Sequence, residues 1–177
     1  MKKLIIFLFL FTFSNSYSSE IQFEKIFDDL NKPWSLSFID KENVIITEKT
    51  GKLLTLNLKD KNINEIKHNL SLISLGQGGL LDVLYKDNTI YISYSENRGN
   101  WETSTSVAKG IFDKEKIVFK NIFRAEPPID SGYHFGSRLV INGKHLYITA
   151  GERGQGMIAQ DATKHPGSII RIFLDGS

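Results

Sequence analysis

Alternation of apolar and polar positions dominates the chain from about residue 33 onward. Trp34, Leu36 and Phe38 alternate with serines ahead of a polar turn at Asp40 to Asn43; Val44 to Thr47 follows, then Thr50-Gly51 and Leu53 to Leu58. A period of two is the signature of a half-buried β-strand. The plan recurs in Leu80 to Tyr85, a turn at Lys86-Asp87-Asn88, Thr89 to Ser95 and, past Asn97 to Asn100, Ser104 to Phe112. A third copy comprises Arg138 to Ile141, a turn at Asn142-Gly143, His145 to Ala150 and Ser168 to Leu174. Asn-Gly between two apolar runs predicts a tight hairpin. Almost nowhere do apolar residues hold an i, i+3, i+4 stripe for three turns, so strands and loops are expected throughout.

The second strands of the three units begin near residues 44, 89 and 145, an interval typical of propeller blades. The pattern predicts an all-β chain with about three blades of a β-propeller; a β-sandwich with coincidental spacing is the alternative. Three blades do not close a ring, and the sequence stops at Leu174-Asp175-Gly176-Ser177 where a strand is turning. It therefore reads as the front half of a longer protein, whose open sheet edge favours aggregation if expressed alone.

The opening residues follow a different pattern. Lys2 and Lys3 precede an apolar run from Leu4 to Phe13 and small polar residues from Ser14 to Ser19. This predicts a signal peptide over residues 1–19, cut after Ser16 or Ser18, and an exported, periplasmic domain over residues 20–177. The run is shorter than the roughly 20 apolar residues a spanning helix needs, and no later stretch supplies them, so no membrane span is expected in the mature chain. Of 22 basic and 20 acidic residues, Lys2 and Lys3 leave with the leader, so the mature charge is balanced. A neutral domain offers no electrostatic footprint for nucleic acid or an anionic membrane. With no cysteine, neither a disulfide framework nor a thiolate metal site is available.

Three loops carry candidate chemistry. In Asp130-Ser131-Gly132-Tyr133-His134-Phe135-Gly136, a histidine at a loop-to-strand junction between glycines is placed to act as a proton acceptor, or to serve as a structural histidine. Gly151-Glu152-Arg153-Gly154 ends the next strand, so Glu152 is placed to accept the second ring N–H of His134; a solvated carboxylate or a partner of Arg153 is the alternative. Gly76-Gln77-Gly78-Gly79 precedes the second unit, where the Gln77 amide both donates and accepts, as a sugar hydroxyl requires; a tight inter-blade turn is the alternative.

Read in order, Asn31-Lys32-Pro33-Trp34-Ser35-Leu36, Gly76 to Leu81, Tyr91-Ile92-Ser93-Tyr94, His134 to Leu139 and Gly167 to Ile172 make the chain resemble the glucose/sorbosone dehydrogenase family, and within it the aldose sugar dehydrogenases. The resemblance implies a six-bladed propeller that binds pyrroloquinoline quinone and calcium and oxidises the anomeric carbon of aldose sugars to lactones. It makes His134 the base, Glu152 the acid that orients it and Gln77 a contact to sugar and quinone. Tyr133 stands where glucose-oxidising members carry an acid, which argues against glucose as substrate. The family's basic contacts to the quinone carboxylates and its calcium ligands are expected beyond residue 177, so no metal ligand is assigned.

Other signals argue less. Gly154-Gln155-Gly156-Met157-Ile158-Ala159 spells a dinucleotide loop, but Gln160 to Pro166 predicts no helix to receive a pyrophosphate. His68, His145 and His165 lack metal-site spacing, and Trp101 and Trp34 suit packing better than a sugar platform. Two further functions compete: a non-catalytic propeller that binds a glycan or protein, and a metal-dependent lactonase.

Overall fold

The structure, a computed structural model, describes residues 21–177, and the predicted signal peptide lies outside the described residues. Twelve strands form three sheets. The first contains β1 (Pro33–Phe38), β2 (Asn43–Glu48), β3 (Leu53–Asn57) and β4 (Ile63–His68) in chain order, all antiparallel. The second is built from β5 (Leu80–Lys86), β6 (Thr89–Asn97), β7 (Thr103–Ile111) and β9 (Lys120–Arg124). Between the last two, the two-residue β8 (Lys116–Ile117) crosses back to pair in parallel with β4, tying the second sheet to the first. The third sheet is β10 (Gly136–Asn142), β11 (His145–Ala150) and β12 (Ser168–Phe173). Among the described residues, no helix is long and apolar enough to cross a membrane.

Hairpin turns behave as their residues dictate. Asp87 and Asn88 take φ of 49° and 58°, the left-handed pair that matches the twist of flanking strands. Gly143, at φ 57°, opens the β10–β11 turn, where a side chain would be strained. The outer strands β4 and β9 add a fourth member to two of the units, which the alternation had defined by three. Both are rich in charged and amide residues and mostly solvated, so their apolar signal is faint. Residues 156–160 form a single 3-10 turn rather than an α-helix, in line with the weak dinucleotide-loop signal.

The sheets stack face to face. Ile45, Leu53 and Ile66 of the first sheet pack on Leu80, Val83, Ile90 and Ile92 of the second. The other face of the second sheet presents Tyr91 and Val107 to Leu139, Leu146 and Ile148 of the third. Val44, Ile46, Leu54 and Leu56, on the far side of the first sheet, are covered by Phe27 and Leu30 of the segment leading into β1.

The innermost strands β1, β5 and β10 each carry a register shift near their start, between Pro33 and Ser35, Leu80 and Val83, and Gly136 and Leu139. Bulges re-aim side chains at sheet rims. Here they gather Ser35, Asp82 and Arg138. Asp82, only 1% exposed, accepts hydrogen bonds from Ser35 Oγ (2.5 Å), Val83 N (3.1 Å), Arg138 Nη1 (2.8 Å) and Leu139 N (2.7 Å). One buried carboxylate thus joins all three sheets.

Candidate active site at the seam of the second and third sheets

The three predicted site residues meet at the rim beside this knot. His134 precedes β10 and Glu152 follows β11; because Gly136 pairs with Ala150, the hairpin register brings them together. A Cβ on Gly151 would lie 1.9 Å from His134 O, so only glycine allows the two loops to approach this closely. Gln77 enters from the loop ahead of β5. Its backbone N–H donates to Gly132 O (2.7 Å), and its Oε1 accepts from His134 N (2.8 Å).

The imidazole is oriented from one side only. His134 Nδ1 is hydrogen-bonded to Glu152 Oε1, which also accepts from Gly154 N at 3.0 Å. The bond from His134, helped by backbone N–H groups, holds the Glu152 carboxyl below the ordinary carboxylate range. An ionised carboxylate only accepts, so Nδ1 carries the proton and, in the neutral ring, Nε2 is the bare nitrogen. No side chain among the described residues bonds to Nε2, and the His134 side chain is 52% exposed. The rim therefore presents an oriented proton acceptor to solvent.

Two details change the sequence-based picture. Gln77 Oε1 accepts from His134 N, which commits one lone pair of the amide oxygen to holding the histidine loop. Glu152 is not a partner of Arg153, whose guanidinium turns inward and is buried. Two cations near these residues are engaged within the protein. Lys49 Nζ donates to Gly76 O, fixing the Gln77 loop, and Arg138 is held by Asp82. Asp82 had a signal in the sequence, a lone carboxylate inside the apolar run Leu80 to Leu84; Arg153 and Lys49 had none.

Comparison with known proteins gives this geometry a context. The family model for Glucose / Sorbosone dehydrogenase matches residues 30–177. The chain belongs to this family. It is 33% identical over 166 residues to the aldose sugar dehydrogenase YliI of Escherichia coli K12, covering 88% of this chain and 45% of that one. The crystal structure of the soluble aldose sugar dehydrogenase of Escherichia coli superposes with a TM-score of 0.81 at 33% identity, over 87% of this chain and 47% of that one. The PQQ-bound aldose sugar dehydrogenase of Streptomyces coelicolor shares the fold, with a TM-score of 0.77 at 21% identity over 86% of this chain and 48% of that one. The chain spans about half the length of the curated relatives it matches.

Proposed function

We propose that this chain carries the proton-accepting side of a quinone-dependent aldose sugar dehydrogenase, exported to the periplasm, in which further sheets complete a six-bladed propeller. The observation that carries the reading is the arrangement of His134: Nδ1–H on Glu152, backbone N–H on Gln77, and Nε2 open at the rim of a glucose/sorbosone dehydrogenase fold. Pyrroloquinoline quinone, when bound, supplies the two-electron acceptor for the hydride leaving the anomeric carbon. His134 Nε2 takes the proton of the anomeric hydroxyl, so that the aldose leaves as its lactone. Glu152 stabilises the imidazolium that results, and the Gln77 amide donates to an oxygen of the sugar or the quinone.

The residues present fit one side of such a site. His134 and Gln77 offer a base and a donor on an accessible rim, whereas Lys49, Arg138 and Arg153 are each engaged by a protein oxygen. Among the described residues, no group of three or more His, Cys, Asp or Glu side chains converges as a metal holder. On this reading the proton steps belong to this chain. Leu36 and Phe38 on the first sheet and Ile169 on the third lie exposed on the outer faces, which supports a ring with additional sheets.

In the protein loaded with pyrroloquinoline quinone and calcium, His134→Ala should lower aldose-dependent dye reduction by at least about a hundredfold, the smallest usual contribution of a general base. A parental rate in that variant would sink the assignment. Sugar binding by the loaded parent without turnover would instead make this a sugar-binding propeller.

A further inference from the structure

Arg153 is a cation buried with no anion hydrogen-bonded to it. Only 2% of it is exposed, and its N–H groups donate to neutral acceptors: Nε to Tyr133 O (2.8 Å), Nη1 to Thr103 O (3.1 Å), and Nη2 to Thr103 Oγ1 (2.7 Å) and Ser131 O. The guanidinium carbon lies over Phe135, 3.6 Å from the ring centroid. Burial lowers its pKa to about 10, with Glu152 opposing the shift. Hydrogen bonds and the ring face are what offset desolvation of such a charge.

Those bonds maintain a loop conformation that the backbone does not favour by itself. His134 sits at φ 48° and Arg153 at φ 60°, the left-handed region that non-glycine residues hold only when their surroundings over-determine it. From residue 131 to residue 135, four of the five carbonyls are bonded from outside the loop. Gln77 takes Gly132 O and His134 N, and Thr105 and Gly151 take Phe135 O. Arg153 takes Tyr133 O and shares Ser131 O with the Thr103 hydroxyl. Through Thr103, at the start of β7, it also anchors the loop to the second sheet. Phe135, pressed beneath the guanidinium, meets the Gln77 loop on its other flank, where a Cβ on Gly78 would lie 2.9 Å from the ring.

We propose that Arg153 is a positioning residue for His134: its planar fork clamps loop 131–135 across the seam between the second and third sheets, which holds Nδ1–H on Glu152 and leaves Nε2 open. This rests on reading His134 as the base and extends it to a residue that touches neither sugar nor quinone. A lysine cannot reproduce the role, because an ammonium on a flexible stem does not span three carbonyls and stack on a ring at once.

The test follows the downfield proton on His134 Nδ1 by NMR in the full chain, with His134→Asn identifying the signal. The parent should show a protected Nδ1–H. Arg153→Lys and Thr103→Val should shorten its exchange lifetime by about tenfold or more, the scale set by losing a charge-assisted hydrogen bond in a locally opening loop. Arg153→Met should abolish the signal; if that variant does not fold, Arg153→Lys and Thr103→Val decide the matter. In the loaded enzyme, Arg153→Lys should lower kcat while leaving KM for the aldose near its parental value. A parental Nδ1–H lifetime in folded Arg153→Lys would overturn the clamp and leave the base reading standing. Parental turnover by His134→Ala would overturn the base reading without changing what the lifetime says about the clamp.

Discussion

The second and third sheets are built from similar hairpins, yet the burial of their central strands differs. In β6 and β7 the buried residues run on without a break through seven and six consecutive positions, because the second sheet is packed on both faces. In β10 and β11 buried positions alternate with more open ones, and in β12 half-buried positions alternate with exposed ones, since one face meets the second sheet and the other is more open. Polar residues in the closed sheet must therefore be satisfied internally. Ser93 Oγ donates to Ser137 O and Thr105 Oγ1 to Phe135 O, both across the seam to the third sheet at 2.7 Å. The candidate site sits where the two regimes meet. Gln77 reaches it from the closed sheet and His134 and Glu152 from the half-open one, which gives an immobilised backbone beneath an accessible ring.

The sharpest way to break the contrast is to cut the same side chain from each sheet. Ile92, fully buried in β6, should lose about 4 kcal/mol on Ile92→Ala, whereas Ile169→Ala, at a position 74% exposed on β12, should change stability by less than about 0.5 kcal/mol. Urea unfolding measures both; equal losses would mean that the third sheet's outer face is covered. Next in size is the knot that holds the sheets in one frame. Asp82→Ala leaves Ser35, Arg138 and the Leu139 N–H without their acceptor and should cost about 3 kcal/mol, less than a fully buried ion pair because Arg138 is exposed. A midpoint unchanged in urea would deny the knot its role.

A smaller effect belongs to the closed sheet alone. Burial, with Glu96 beside it, raises the Tyr94 phenol to about 12 from an ordinary 10.0. A group whose folded pKa is raised contributes stability that is fully present below pH 10 and is lost as pH rises through about 12. Stability should decline by about 2 kcal/mol more in the parent than in Tyr94→Phe across that window, read by unfolding at stepped pH.

Much of this was legible from residue order. The starts of β2, β6 and β11 were given by alternation and turn residues, because hairpins are local and one face of each strand is apolar. The meeting of His134 and Glu152 followed from the same local logic, since one hairpin carries both. Gln77 is different: it reaches His134 across 57 residues, and only the stacking of two sheets brings its Oε1 to that backbone. The inward turn of Arg153 was hidden for the same reason. An arginine between glycines reads as solvated until the carbonyls of Thr103, Ser131 and Tyr133 are seen to converge on it. Strands β4 and β9 leave no such mark because outer strands that are largely solvated need no apolar alternation.

The central claim is that His134 is held through Nδ1 with Nε2 bare, and the imidazole nitrogens report this directly. In the chain labelled with 15N at histidine, at a pH where the ring is neutral, the account predicts Nδ1 at the shift of a protonated nitrogen and Nε2 at that of a bare one, with the preference relaxing in Glu152→Gln. A parent in which Nε2 carries the proton, unchanged by Glu152→Gln, would contradict it.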